Sequence, residues 1–340
     1  MRPQDMRSLA SCVSPGVWAT RVPMPTFLGY SYSYTIRVSR GLVVVDLGWN
    51  SDEAWDAFCL GVDRAGGQLD DIVGVVLTHT HPDHFGLAGR IREHTGAWIA
   101  GHVDEATNIL DTDTDRESRN ADLVAWLRQC GVPADLVADL ASDALAVTVS
   151  PLYRGLDFFL DDGDLVPDTD GSLRAIHTPG HTPGHLCFFD ESRSLLFSGD
   201  HLLPRVSPNI SKRPGQLDDP LAAYDESLDI VAKLPDAVLA LPGHEWAFDR
   251  VRDRIMQVRA ANHDRAKSVL AAVAVAAGAA TVWQVAHEIR WSRPFESLNV
   301  RGKRQALGET YAHLHHLERQ RQIRSVESQP VRWVRSNHHG

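Results

Sequence analysis

Apolar positions in the first half of the chain fall into short runs bounded by turn residues. Tyr34 to Val38 and Leu42 to Val45 are rich in aromatic, aliphatic and β-branched residues, and Ser39-Arg40-Gly41 between them predicts a hairpin. Asp46 and Gly48 end the second run. Val73 to Leu77 is continuously apolar, as in a strand covered on both faces. Phe85 to His94 carries its apolar residues at helical spacing and stops at Gly96, and Ala97 to Ala100 is strand-like again. This strand–loop–helix–strand order predicts a layered α/β fold.

From about Asp104 to Leu145 the pattern turns helical and acidic, which reads as a helical insertion able to act as a lid. Further strands are predicted at Ser172–Ile176, Leu186–Phe189, Leu195–Ser198 and Val238–Leu241. The C-terminal stretch then predicts three helices, His263–Ala277, Val282–Arg290 behind Thr281, and Lys303–Arg319. Two short strand-like pieces follow, around Ile323–Val326 and Val331–Val334. Three helices and a hairpin resemble a winged helix. The predicted division is a catalytic domain over residues 1–255 and a winged-helix-like domain over 256–340. His313, His315 and His316 fall on the charged third helix and are expected in solvent.

Composition narrows the class. Of 340 residues, 43% are hydrophobic and 23% charged, an ordinary globular balance. The net charge of −10 argues against a surface built throughout for nucleic acid. From Arg250 onward, sixteen Lys and Arg face seven Asp and Glu, which suggests an appended module. Cys12, Cys59, Cys130 and Cys187 lie far apart, so neither a disulfide framework nor a cysteine zinc site is indicated, and a reducing cytoplasm fits. Met1 to Ala10 has no apolar core, so no signal peptide is read there. The longest apolar run, Val269 to Ala280, is too short to cross a bilayer.

Histidine is the outlier, with 17 residues. Thr78-His79-Thr80-His81-Pro82-Asp83-His84 directly follows the continuous apolar run. A lone histidine there would cap a strand, and a lone aspartate would cap the next helix. Four donors within six residues exceed what capping needs. Imidazole and carboxylate suit zinc, iron or manganese. In extended chain, residues two apart point the same way, so His79 and His81 share one direction. Asp83 and His84 fall where the chain turns into a helix and can face a second metal. His181, Asp200 and His244 each end a predicted strand, and each follows a glycine.

This ordered set resembles the metallo-β-lactamase superfamily: His-x-His-x-Asp-His, a histidine in Pro-Gly-His-Thr, an aspartate after Ser-Gly, then a histidine after Pro-Gly. The resemblance covers about Gly16 to His244 and implies an αββα sandwich with metals at its upper edge. It implies His79, His81 and His181 on one metal, Asp83, His84 and His244 on a second, and Asp200 bridging them. Asp83 with His84 resembles the glyoxalase II, lactonase and nuclease branches. Asp46 resembles the carboxylate that orients a ligand imidazole from behind. His177 and His185, flanking His181, are candidates for the same supporting role or for packing.

The implied chemistry is hydrolysis by a hydroxide shared between two divalent ions, zinc first and iron or manganese next, with Asp83 and Asp200 as the carboxylates closest to it. No serine-hydrolase or dinucleotide motif occurs in a strand–helix context. The Pro-rich segment after Asp200 should line a pocket, with Arg205 and Asn209 available for a polar or anionic group and Tyr224 as a further contact. The first reading is a cytoplasmic hydrolase, a candidate homodimer, acting on a small thioester, ester or lactone, with anionic substrates among the candidates. The second is a nuclease using the basic module. The third is a nucleic-acid-binding regulator with a vestigial metal site. Sparse aromatics in the basic module weigh against nucleic acid, and no membrane partner is expected.

Overall fold

The computed structural model describes residues 9–106, 113–142, 155–213, 217–276, 278–326 and 329–336. The expected lid thus lies partly outside the described residues, at 107–112 and 143–145, as does residue 277 of a predicted helix. The chain forms two compact units. The first comprises Met1–Leu110, Val147–Pro208 and Ile230–Arg254, and the second Asp111–Ala146, Asn209–Asp229 and Ile255–Gly340.

In the first unit, strands Ala10–Ser14 (β1), Val17–Pro23 (β2), Tyr30–Val38 (β3), Gly41–Val45 (β4), Ile72–Val76 (β5), Trp98–Gly101 (β6) and Phe158–Phe159 (β7) form one sheet in that order. β1 to β4 are antiparallel neighbours, and β4 to β7 are parallel. A second sheet holds Leu173–His177 (β8), Leu186–Asp190 (β9), Leu195–Gly199 (β10) and Leu239–Pro242 (β11) in the order β11-β10-β9-β8.

Strand parity explains the layering. Alternate residues of a strand point to opposite faces. On β4, Leu42 and Val44 join a core with Ala54, Phe58, Val62 and Ile91 from helices Asp52–Arg64 (α1) and Ala88–His94. Val43 and Val45 join a core with Phe188 and Phe197 of the second sheet. The continuous apolar runs are therefore two-faced, with a helix layer on one side and a sheet on the other. Burying each such side chain contributes about 1.5–3 kcal/mol.

Three features depart from the sequence expectation. β1, β2 and α1 were not anticipated, although Ser51 caps α1 by accepting from Ala54 N at 3.1 Å and Asp52 and Glu53 occupy its first turn. The helix expected over Phe85–His94 is two pieces, Pro82–Phe85 (α2) and Ala88–His94 (α3). The break falls at Gly86, where a Cβ would lie 2.7 Å from Asn50 N and 2.8 Å from Gly48 O. The third departure is the insertion. After Val103–Ala106 (α4), residues 111–146 belong to the second unit and not to the first.

That second unit contains Asp113–Gln129 (α5), Ala134–Ala141 (α6) and parts of Pro220–Ala232 (α7) and Val251–Val275 (α8). Ala280–Thr281 (β12), Val282–Glu288 (α9), Val300–Arg319 (α10), Ile323–Val326 (β13) and Arg332–Arg335 (β14) complete it. Its sheet order is β12-β14-β13. Trp126, Leu127, Cys130, Val132, Val137 and Leu140 of the expected lid pack with Val269, Val282, Leu307, Leu314 and Trp333 in one core. Trp283 N donates to Cys130 O at 2.9 Å, and Val331 N donates to Gln129 O at 3.2 Å. The apolar residues of these two helices need a partner, and the C-terminal helices supply it.

The histidines of α10 also differ from expectation. His313 lies on the inward face at 2% exposure, and its Nδ1 makes no hydrogen bond. His316 Nδ1 lies 3.0 Å from Asp219 Oδ2, and His315 Nε2 lies 3.7 Å from Asp218 Oδ1. Burial, then the charge of Arg265, pushes the His313 imidazole down to about 3. The unfolded chain binds that proton near pH 6.5. Stability conferred by the neutral imidazole is therefore complete above about 6.5 and is lost as pH falls toward 3, by up to about tenfold in the folding constant per pH unit. His313→Gln should flatten that acid slope in urea titrations run between pH 7 and 4. Identical slopes for the two proteins would contradict the assignment.

Candidate metal centre

The site lies at one edge of the first unit because strand direction puts it there. β8 and β10 are both antiparallel to β9, and β10 is parallel to β11. The C-terminal ends of β8, β10 and β11 therefore share an edge, and His181, Asp200 and His244 follow those ends. His79 and His81 follow β5, and Asp46 follows β4. Asp83 and His84 sit on α2, which Pro82 opens.

The structure brings the seven sequence candidates together. His79 Nε2 and His181 Nε2 each lie 2.9 Å from His81 Nδ1. His244 Nε2 is 3.3 Å from Asp83 Oδ2 and 3.4 Å from Asp200 Oδ1. His84 Nε2 is 3.6 Å from Asp200 Oδ1, and His181 Nε2 is 3.6 Å from Asp200 Oδ2. His79, His81 and His181 form one ligand-capable group, and Asp83, His84 and His244 form another. The two Asp200 oxygens face both groups.

The glycines before Asp200 and His244 make room for this. A Cβ on Gly243 would lie 2.6 Å from His84 Cε1 and 2.7 Å from Asp200 Oδ1. Gly199, at φ +48°, would place one 2.7 Å from both His185 Nε2 and Thr78 Cβ. Any side chain at either position would displace a donor.

Hydrogen bonds behind the ring fix which nitrogen faces inward. Thr78 N and Thr78 Oγ1 donate to the two Asp46 oxygens, each at 2.8 Å. With its proton so used, Thr78 Oγ1 accepts from His79 Nδ1 at 3.0 Å, which leaves the His79 Nε2 lone pair free. His84 Nδ1 donates to Asp46 Oδ2 at 2.7 Å, and His244 Nδ1 donates to Tyr30 O at 3.1 Å, again leaving Nε2 inward. Asp46 holds a left-handed backbone at φ 55°, a strain offset by these bonds.

His185 supports the set from behind. Asp200 N donates to its Nε2 at 3.2 Å, and its Nδ1 meets Thr178 Oγ1 at 2.8 Å. His177 packs instead. Its ring stacks on His102 at 4.2 Å and 7°, while its Nε2 donates to Pro183 O at 3.0 Å. His102, Asp161 and His177 stand close enough to ligate, but parallel rings hold their lone pairs in separate planes.

The electrostatics divide the cluster. Burial, then neighbouring imidazoles, pushes His79 down and His81 down to about 3. Burial opposes a proton on His84 too, but the carboxylates of Asp46 and Asp200 outweigh it and lift His84 to about 9. Burial would raise Asp200 and Asp83; the facing His244 and His84 hold both carboxylates down. Neutral imidazoles and ionised carboxylates are the forms that ligate, so a cation bound at His84 would take the place of the proton that Asp46 and Asp200 hold there. His84 Nε2 and Asp200 Oδ1 are shielded from water and make no hydrogen bond. Orphaned polar atoms of this kind cost about 1–3 kcal/mol each, and a cation between them removes that cost. The donor set fits divalent ions.

Substrate-side candidates are placed differently. Glu245, beside His244, accepts from Arg205 N and Val206 N, both at 3.0 Å, and from Arg205 Nε at 2.9 Å. The Arg205 side chain is 72% exposed and lies over Trp246. Arg254 anchors the same loop, donating to Leu203 O at 2.6 Å and to Arg205 O and Val206 O at 2.9 Å. Asn209 belongs to the second unit, where its amide reaches Gln305 O and Glu309 Oε2, both at 3.4 Å. Tyr224 is 1% exposed on α7. Sequence reasoning missed Thr78, Glu105, Glu245 and Arg254. Thr78 and Glu245 adjoin motif residues, so adjacency was their available signal; the other two have none.

Known proteins resemble this chain in sequence and in fold. The sequence profile of the metallo-beta-lactamase superfamily matches residues 26–244. A probable metallo-hydrolase of Bacillus subtilis is 29% identical over 260 residues, 72% of this chain and 79% of that protein. A hydroxyacylglutathione hydrolase of Rhizobium etli is 35% identical over 181 residues, 53% of this chain and 51% of its own. This chain thus spans about half the length of that relative. A metallo-beta-lactamase family protein from Thermus thermophilus superposes with TM-score 0.78 at 27% identity, covering 95% of this chain and all of that one.

Asp46→Asn should weaken metal binding about 10- to 100-fold, because it breaks the support shared by His79 and His84. Competition against a chromophoric chelator measures this, and affinity within twofold of wild type would contradict that role.

Proposed function

This chain belongs to the metallo-beta-lactamase superfamily and is a metal-dependent hydrolase; from that premise we propose that it cleaves a small thioester, ester or lactone. The observation that carries the reading is Asp200 facing both ligand groups, with its Oδ1 and the His84 Nε2 buried and unbonded. His79, His81 and His181 would hold one divalent ion, Asp83, His84 and His244 the other, with Asp200 between them. Zinc is the first choice on donor chemistry, and iron or manganese the next. Bound there, such ions lower the pKa of water toward ~7 and polarise a carbonyl oxygen.

The chain's own residues supply the rest. Asp46, Thr78 and Tyr30 O fix the ligand tautomers, so no reorganisation is needed during reaction. Asp83, held by His244, is placed to take a proton from the attacking water and pass it to the leaving group. Arg205, steadied by Glu245, is the side chain we assign to an anionic part of the substrate. Asn209 and Tyr224 are engaged within the second unit and are not used in this reading. The hydroxyacylglutathione hydrolase relative favours a thioester among the three classes.

Three C-terminal helices followed by a hairpin are what we read as winged-helix-like, and this is what keeps a nuclease reading in view. The aromatic residues of the second unit weigh against it. Trp333 is buried, and Trp283, Trp291 and Tyr311 pack against the unit's own core. Bases need exposed rings to stack on. No helix among the described residues is long and apolar enough to cross a membrane, and we place the enzyme in the cytoplasm.

An acyl-CoA, a glutathione thioester, an acyl-homoserine lactone and a single-stranded RNA, offered to one metal-loaded preparation, test the proposal. Turnover of one of the first three, abolished together with metal content in Asp200→Ala, is the expected result. Cleavage of the RNA alone, or full turnover by Asp200→Ala, would overturn it.

A further inference from the structure

Glu105, like Asp46, is a buried carboxylate near the centre that belongs to none of the ligand groups. Glu105, on α4, is 1% exposed. Its Oε2 accepts from Thr80 N at 2.9 Å and from Thr80 Oγ1 at 2.5 Å, and its Oε1 accepts from Gly184 N at 3.0 Å. Thr80 stands between His79 and His81, and Gly184 lies in the loop that runs from His181 to His185. One side chain therefore ties together the two loops that supply the first ligand group. Lower down, Leu186 N donates to Thr78 O at 2.7 Å, so the loops are pinned at two heights. The packing is close: a Cβ on Gly184 would lie 2.9 Å from Glu105 Cγ.

The charge needs its own explanation. Neutral donors alone hydrogen-bond this carboxylate among the described residues; no Lys or Arg does. A buried, unpaired charge is costly. A divalent ion held by His79, His81 and His181 would offset it through the low-dielectric interior.

We propose that Glu105 is a positioning residue for the first metal: it sets the separation between the His79–His81 pair and His181, and its charge is balanced by the bound ion. The inference rests on the reading that these imidazoles hold a divalent ion. Glu105→Gln separates the two oxygens chemically. A Gln amide has one acceptor, and its NH2 would face either Thr80 N or Gly184 N, donor against donor. Keeping the two Thr80 bonds sacrifices Gly184, so the His181 loop is the part set free.

Titration of full-length apoprotein with Co(II) and Zn(II) tests this by affinity, by the visible Co(II) spectrum and by the rise in Tm on loading. Wild type should take up two ions. Glu105→Gln should bind one of them about 10- to 100-fold more weakly, with an altered Co(II) spectrum and a smaller Tm rise. Thr80→Ala, which removes the hydroxyl bond and keeps both main-chain ties, should show a smaller change in the same direction, and serves alone if Glu105→Gln does not fold. Two ions bound by Glu105→Gln within twofold of wild type with an unchanged spectrum would overturn the inference and leave the site reading intact. A wild type that binds no ion would overturn both.

Discussion

Electron-pair donors do not gather on their own. Five imidazoles, those of His79, His81, His84, His181 and His244, and two carboxylates, those of Asp83 and Asp200, point into one small region at a sandwich edge. Hydrophobic packing favours none of that. The surrounding scaffold holds them there. Strand direction delivers three loops to the same edge, and glycines at 199 and 243 admit rings and carboxylates that a Cβ would exclude. Asp46 binds His84 and Thr78, and Thr78 binds His79. Glu245 and Arg254 fasten the loop beyond Asp200. The apolar cores on either side of β4 and β5 give these anchors a rigid frame.

That these seven donors would cluster was legible because their chemistry is local. Thr78 to His84 packs four donors into one short segment behind a strand, and the other three each follow a strand and a glycine. The two-faced strands were legible for a similar reason, since Val73 to Leu77 has no polar position to expose. Contacts that close over distance were not. Glu105 acts on Thr80 and Gly184, which lie 25 and 79 positions away. Nothing in Val103-Asp104-Glu105-Ala106 distinguishes it from a surface helix. His313 was misplaced because α10 as a whole is charged, with Glu309, Glu318 and Arg319 near it, while the register that turns it inward depends on Leu314 and Leu317 finding the unit's core.

The helical segment after α4 shows the same limit. An acidic stretch inserted in a catalytic domain reads naturally as a lid. Its apolar residues, Trp126, Leu127, Val132 and Val137, have partners elsewhere in the chain, in α9, α10 and β14. Periodicity tells that a helix has an inward face but not which core it enters.

Chain order likewise misleads about charge. From Arg250 onward the sequence is strongly basic, and that asymmetry is what raised nucleic acid as a ligand. The folded unit is not that stretch. With residues 111–146 and 209–229 included, its eighteen Lys and Arg meet nineteen Asp and Glu, so it is close to neutral. The pairing is visible locally. Arg259 contacts Asp225 and Asp229, Arg319 contacts Asp218, and Arg265 contacts Glu309. Phosphate-backbone binding needs a surplus of cations free to release counterions, and within this unit the basic and acidic residues are nearly equal in number. A basic module that binds nucleic acid and a basic segment that completes an acidic one look alike in sequence; the ion pairs within the second unit are of the kind the latter makes.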